Sequence, residues 1–177
     1  MTNWLERGVT ALAAATAITG GVVMIASILL VVISVAGRAL LWAGLGPIPG
    51  DYELVSAAMG LSVFAFLPWA HLTRGHAIVT LLTDNFGRRF NAWLLVITDL
   101  LMFIAALFIA WRLYYGMMDK FAFRETTLLL RMPLGWAYAA ALVGAAVFVV
   151  VSLFVVGRSI RNAATGQTEP VRAGADL

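Results

Sequence analysis

Two stretches of this chain carry no charged side chain over lengths that leave few options for folding: Gly8–Gly37 and Leu54–Ala70. At about 1.5 Å per helical residue, a hydrocarbon layer about 30 Å thick takes roughly twenty apolar residues to cross. A backbone inside that layer must satisfy its own N–H and C=O groups, which a helix does within one segment. The composition agrees with this constraint. Of 177 residues, 62% are hydrophobic and 12% charged, and the mean hydropathy is +0.94. The fold class read from this is an all-α integral membrane protein that crosses the bilayer several times. There are no cysteines, so disulfides and thiolate metal sites are excluded. The net charge of +3 is small and its arginines sit at helix ends, which suits a membrane protein and not a nucleic-acid binder.

The chain is read as one membrane domain over residues 1–177 with four spans, about 9–36, 51–71, 91–115 and 134–156. The small-residue stretch Ala11–Ala17 invites a signal-peptide reading. The uncharged run continues too far for a signal core, and the expectation is a retained first membrane helix. That span, about 42 Å long if helical throughout, exceeds the hydrocarbon core and should tilt or project. Residues 43–50, with three glycines and two prolines, form a short loop. Span two opens on Asp51 and Glu53 and closes on His71, Arg74 and His76; Pro68 lies near its end, where membrane helices tolerate it. The mixed segment 72–90 is expected to be a short surface helix between spans two and three. Residues 116–132 read as a longer polar-apolar connection, Pro133 as a first-turn residue of span four, and 157–177 as a polar cytoplasmic tail.

Four spans place both termini on one side. Arg7, Arg74, Arg88, Arg89, Arg158, Arg161 and Arg172 fall on that side, against Arg38, Lys120, Arg124 and Arg131 on the other, with Arg112 near the boundary. The positive-inside rule then makes both termini cytoplasmic.

Few residues could carry chemistry. Asp99 lies inside span three, where a charge is costly unless paired or protonated. No second acid lies deep in any span, so a paired structural residue is the reading preferred over an ion site, its partner an arginine here or on another chain. Asp51 suits a helix N-terminus. Glu53 sits deeper and could pair with Arg38 across the Gly-Pro loop, or simply be solvated. His71 and His76 are five residues apart and no second histidine pair exists, so haem and zinc find little support. A solvated or interfacial role is read for both, with no cofactor. Ser56/Gly60, Thr16/Gly20 and Ala140/Gly144 give small-xxx-small faces for close helix contact. Phosphate loops, nucleophile elbows and HExxH motifs are absent from the sequence, as are internal repeats. This points to a helper subunit. The alternative is a small homodimeric exporter in which Asp99 couples protons; a haem-holding redox subunit rests only on the two histidines.

The order of features resembles the small membrane (Q-type, DctQ-like) subunit of tripartite ATP-independent periplasmic, or TRAP, transporters, over roughly residues 9–160. Arg38 ends span one and Glu53-Leu54 opens span two. Arg74-Gly75-His76-Ala77-Ile78-Val79, followed by Leu81-Leu82, is similar to the family's R-x-G-H-I-x-V-x-L-L pattern, and Leu130–Trp136 to its P-x-W start of span four. Thr80 stands where an Asp is usual and Ala77 where Ile is frequent. The resemblance implies a non-catalytic scaffold in the bacterial inner membrane. It would pack against a large elevator-type subunit that carries the substrate and sodium sites. A periplasmic substrate-binding protein would deliver organic-acid anions to that pair. Candidate interface or structural residues are Arg38, Glu53, Gly60, Arg74, His76, Asp99 and Arg112. Lys120, Arg124, Glu125 and Arg131 are candidates for docking the binding protein, and the apolar surfaces for contact with membrane lipids.

Overall fold

A computed structural model describes residues 2–73 and 88–165. The chain forms helix α1 (Thr2–Ala39), a single 3-10 turn (Leu41–Ala43), α2 (Asp51–Leu72), α3 (Arg88–Ala122) and α4 (Leu134–Thr165). The described residues contain no β-strand, only an isolated bridge between Thr126 and Pro133. All four helices are long and apolar enough to cross a membrane.

The helices overrun the expected spans. α3 continues through residues 116–122, because Gly116 lets Tyr138 of α4 approach to within 3.0 Å of where a Cβ would sit, and Phe121 packs edge-on against Trp136 at 5.9 Å. The connection to α4 is therefore only 123–133. α4 runs nine residues past Val156, its added turns held by contacts to α3 and α1 described below. Pro133 stands just before α4 and gives its carbonyl to Trp136 N–H at 3.2 Å. The expected surface helix over 72–90 falls mostly outside the described residues, and α3 has already begun at Arg88.

The four helices form a row more than a closed bundle. α4 packs against both α3 and α2, α2 packs against α1, and α1 only grazes α4. The order across the row is α1, α2, α4, α3. α4 is accordingly the most buried, with 44% of its most apolar window covered, against 11% for α1 and 17% for α3. Its covered residues, Ala141, Gly144, Ala145, Phe148, Val151, Ser152, Val155 and Ser159, recur at the three- and four-residue spacing of a helix seam.

Small residues set how closely this row packs. In lipid, apolar surface gains nothing from merely leaving the solvent, so van der Waals fit and interhelical hydrogen bonds must hold the helices. A Cβ on Gly144 would lie 2.9 Å from the carbonyl carbon and oxygen of Phe64. That carbonyl would ordinarily accept from the N–H of residue 68, and Pro68 has none. α4 thus closes onto the turn of α2 that the proline opens. On the other side of α2, Gly20 of α1 abuts Ala65, and the Ser62 hydroxyl donates to the Gly20 carbonyl at 3.1 Å. Gly60, by contrast, meets nothing within 4 Å. Of the three small-residue faces read from sequence, two are internal contacts at Gly20 and Gly144, and Gly60 is left outside.

Gly144→Val should push α4 off α2 and destabilise the chain by about 1–3 kcal/mol, the usual cost of overpacking. Gly60→Ala should change stability by less than about 0.5 kcal/mol. Thermal unfolding of the two purified variants in detergent checks both values.

Candidate partner interface

The connectivity gathers the loops 40–50 and 123–133 at one end of the row, here the loop end. The 3-10 turn that follows α1 and the end of α3 are closed by the same device. Gly44, at φ +80, donates to Leu41 O while Leu45 N donates to Leu40 O; Arg124, at φ +49, donates to Phe121 O while Glu125 N donates to Lys120 O. These are Schellman closures, which use up the orphan carbonyls of a helix end. The second places an arginine in a backbone region that favours glycine.

The two loops are clasped by two acids at the start of α2. Ser34 of α1 donates its hydroxyl to Asp51 at 2.5 Å and accepts from Ile48 N–H at 3.3 Å, pinning the first loop to α1. Asp51 also accepts from Tyr52 N–H at 2.7 Å. Glu53 accepts from two successive amides of the second loop, Leu129 N–H at 2.7 Å and Leu130 N–H at 3.0 Å. Beside it, Leu130 covers Gly50, whose φ of +79 and missing side chain allow the approach; a Cβ there would lie 2.4 Å from Leu130 Cγ. Within the second loop, Thr127 N–H donates to Met132 O at 2.9 Å and Leu134 N–H to Glu125 O at 2.9 Å, which makes a small hairpin. The backbone at its tip is thus satisfied internally, while Leu128 and Leu129 stand out at 94% and 69% exposure.

Both alternatives read for Glu53, pairing with Arg38 or simple solvation, give way to this clasp. Two aligned backbone donors take both carboxylate oxygens, and Arg38, exposed at the end of α1, acts electrostatically on Asp51 instead. Lys120 and Glu125 pair at 2.5 Å across the end of α3. Arg124 and Arg131 are exposed on the hairpin, both at positive φ. The four residues read as docking candidates therefore share one loop and its root.

Deeper in the row two charges of α3 behave oppositely. Asp99 is buried, at 5% exposure, and accepts a short hydrogen bond from the equally buried Ser159 of α4. This serine, unremarked in the sequence, stands one helix turn below the α4 seam residues Val155 and Val156. Among the described residues, a hydroxyl is one partner of Asp99. Arg112, read near the span boundary, lies about 15 Å before the end of α3 at about 1.5 Å per residue, one turn before Gly116, and is exposed.

At the other end, His71 is buried at 4% exposure and meets Phe148 edge-on at 5.9 Å, which corrects the solvated reading. Helix α2 carries it into the α2–α4 contact, not to the surface. Arg74 and His76 lie outside the described residues. Glu6 and Arg161, 3.6 Å apart, join the start of α1 to the end of α4. No group of three or more metal-binding side chains gathers among the described residues.

Glu53→Ala should free the Leu129 and Leu130 amides. Both are expected to exchange hydrogen several-fold faster, and the 123–133 hairpin to become protease-sensitive, while amides in the middle of α4 keep their protection. Asp99→Ala should cost about 1–3 kcal/mol by removing the buried acceptor of the Ser159 hydroxyl. Asp99→Asn keeps an acceptor for it and should cost less; thermal unfolding of the pair distinguishes them.

The sequence model of one family, described as "Tripartite ATP-independent periplasmic transporters, DctQ component", matches residues 27–162. No curated protein and no solved structure gives a match. The matched stretch takes in the end of α1, both clasped loops, α2, α3 and most of α4. With four apolar helices of membrane-spanning length carrying that stretch, this chain belongs to the DctQ component family of TRAP transporters.

Proposed function

We propose that the chain is the non-catalytic scaffold subunit of a sodium-driven TRAP transporter in the bacterial inner membrane. It packs against the large elevator-type membrane subunit, which carries the substrate and sodium sites. A periplasmic binding protein delivers organic-acid anions and docks in part on the loop end. The observation that carries this reading is the open row of helices. α1 and α3, at its two edges, each pack closely against a single neighbour and leave a long apolar face uncovered. Such a plank widens a fixed support without enclosing a path of its own.

The clasp at Glu53 supports a docking role for the loop end, because a surface held in one conformation loses little freedom when a partner arrives. Lys120, Glu125, Arg124, Arg131 and Arg38 would steer an incoming protein more than they would tighten its binding. Arg7, Arg88, Arg89, Arg158 and Arg161 at the opposite end support cytoplasmic termini.

Proteoliposomes test the reading. The chain alone should give no sodium-driven uptake of organic acids. The chain with the large subunit and the binding protein should, and omission of this chain should abolish it. Uptake by the chain alone would remove the scaffold assignment.

A further inference from the structure

We infer that the outward face of α3 around Arg112 receives the large membrane subunit, and that this partner presents a carboxylate to Arg112 within the bilayer. The inference deepens the scaffold reading and rests on it.

Register places Arg112 level with the middle turns of the neighbouring helices. Gly116 of α3 faces Tyr138 of α4, and Asp99 is joined to Ser159, so Arg112 lies level with the turn of α4 that ends at Gly144. Gly144 in turn abuts Phe64, in the middle turns of α2. α2 spans only Asp51–Leu72, about 33 Å at about 1.5 Å per residue. The level of the arginine is therefore within about one turn of the centre of the shortest helix. Its side chain can snorkel only part of the way to either surface.

Arg112 makes neither a hydrogen bond nor an ion pair among the described residues, and it is exposed. Asp99 is about 20 Å away along α3 at about 1.5 Å per residue and already accepts from Ser159. A lone guanidinium facing lipid at this depth is strongly unfavourable, and intramembrane arginines pair or face protein. The other edge helix, α1, needs no such partner, being uncharged from Gly8 to Gly37.

The surroundings of Arg112 have the form of a helix-packing seam. Leu101, Ala105, Phe108, Arg112 and Tyr115 follow one another at alternating spacings of four and three, and all five are exposed. That is the repeat by which one helix packs along another. Trp111 supports the seam by packing edge-on against Tyr115 at 5.5 Å. Arginine beside large aromatics is the composition of strong interface centres. A second copy of this chain is a poor occupant. Two copies inserted in the same sense and meeting through α3 would bring their Arg112 charges together at one depth.

The chain has no native cysteine, so a single introduced one is a unique attachment point. A photo-crosslinker on Phe108→Cys, in membranes containing the large subunit, should yield an adduct of the two chains. The same label on Ile25→Cys, on the outward face of α1, should not. Arg112→Leu should lower recovery of the large subunit with this chain about tenfold, with Arg112→Lys losing less and the thermal unfolding of the isolated variants unchanged. Recovery of the large subunit with crosslinking from Ile25 alone would overturn the inference and leave the scaffold reading standing. An adduct of two copies of this chain would also overturn it. Failure of the parent chain to recover any large subunit would remove the scaffold reading itself, and this inference with it.

Discussion

The approach of Gly144 to the Phe64 carbonyl is the contact on which the arrangement of the helices depends. Lipid offers no reward for hiding leucine from it, so helices must gain from close fit. α4 reaches that fit with α2 only because one helix lacks a side chain there and the other lacks a backbone hydrogen bond. Once α4 is seated on α2, its opposite side is free to take α3. The serine contacts then fix depth: Ser62 to the Gly20 carbonyl for α1, Ser159 to Asp99 for α3.

The same logic governs the loop end. Loop backbone near a membrane surface carries polar groups that the chain itself must satisfy when lipid crowds them. Schellman closures, the hairpin bonds and the two carboxylates at the start of α2 share that task. The result is a surface whose backbone is occupied and whose side chains, charged and apolar, remain available. The proposed scaffold role would need this combination, since a support that deformed under its partner would not hold it in place.

The proposed function is therefore a matter of what is left uncovered. Asp99, which invites a transport mechanism, is buried and bonded to a neighbouring helix. Arg112, which draws less notice in sequence, stands on the uncovered edge. Burial separates an internal strut from an outward contact, and burial depends on which helix lies next to which.

The sequence by itself determined the class. Uncharged runs of helical length can only cross a bilayer as helices, and Gly-Pro punctuation ends one of them at Arg38. The order Arg38, Glu53, Arg74-Gly75-His76 and Pro133 also sufficed for the family. Helix ends were less legible, because residues 116–122 and 157–165 are too polar to read as spans and are kept helical by contacts with Tyr138, Trp136, Asp99 and Glu6. Partners were least legible. Glu53 bonds to Leu129 and Leu130, and Asp99 to Ser159, across distances in sequence that no local pattern encodes. His71, polar at a span's end, is buried only because α4 lies beside it. Tertiary structure alone decided these, since the pairing of a polar group in a membrane depends on which backbone or hydroxyl arrives at its depth.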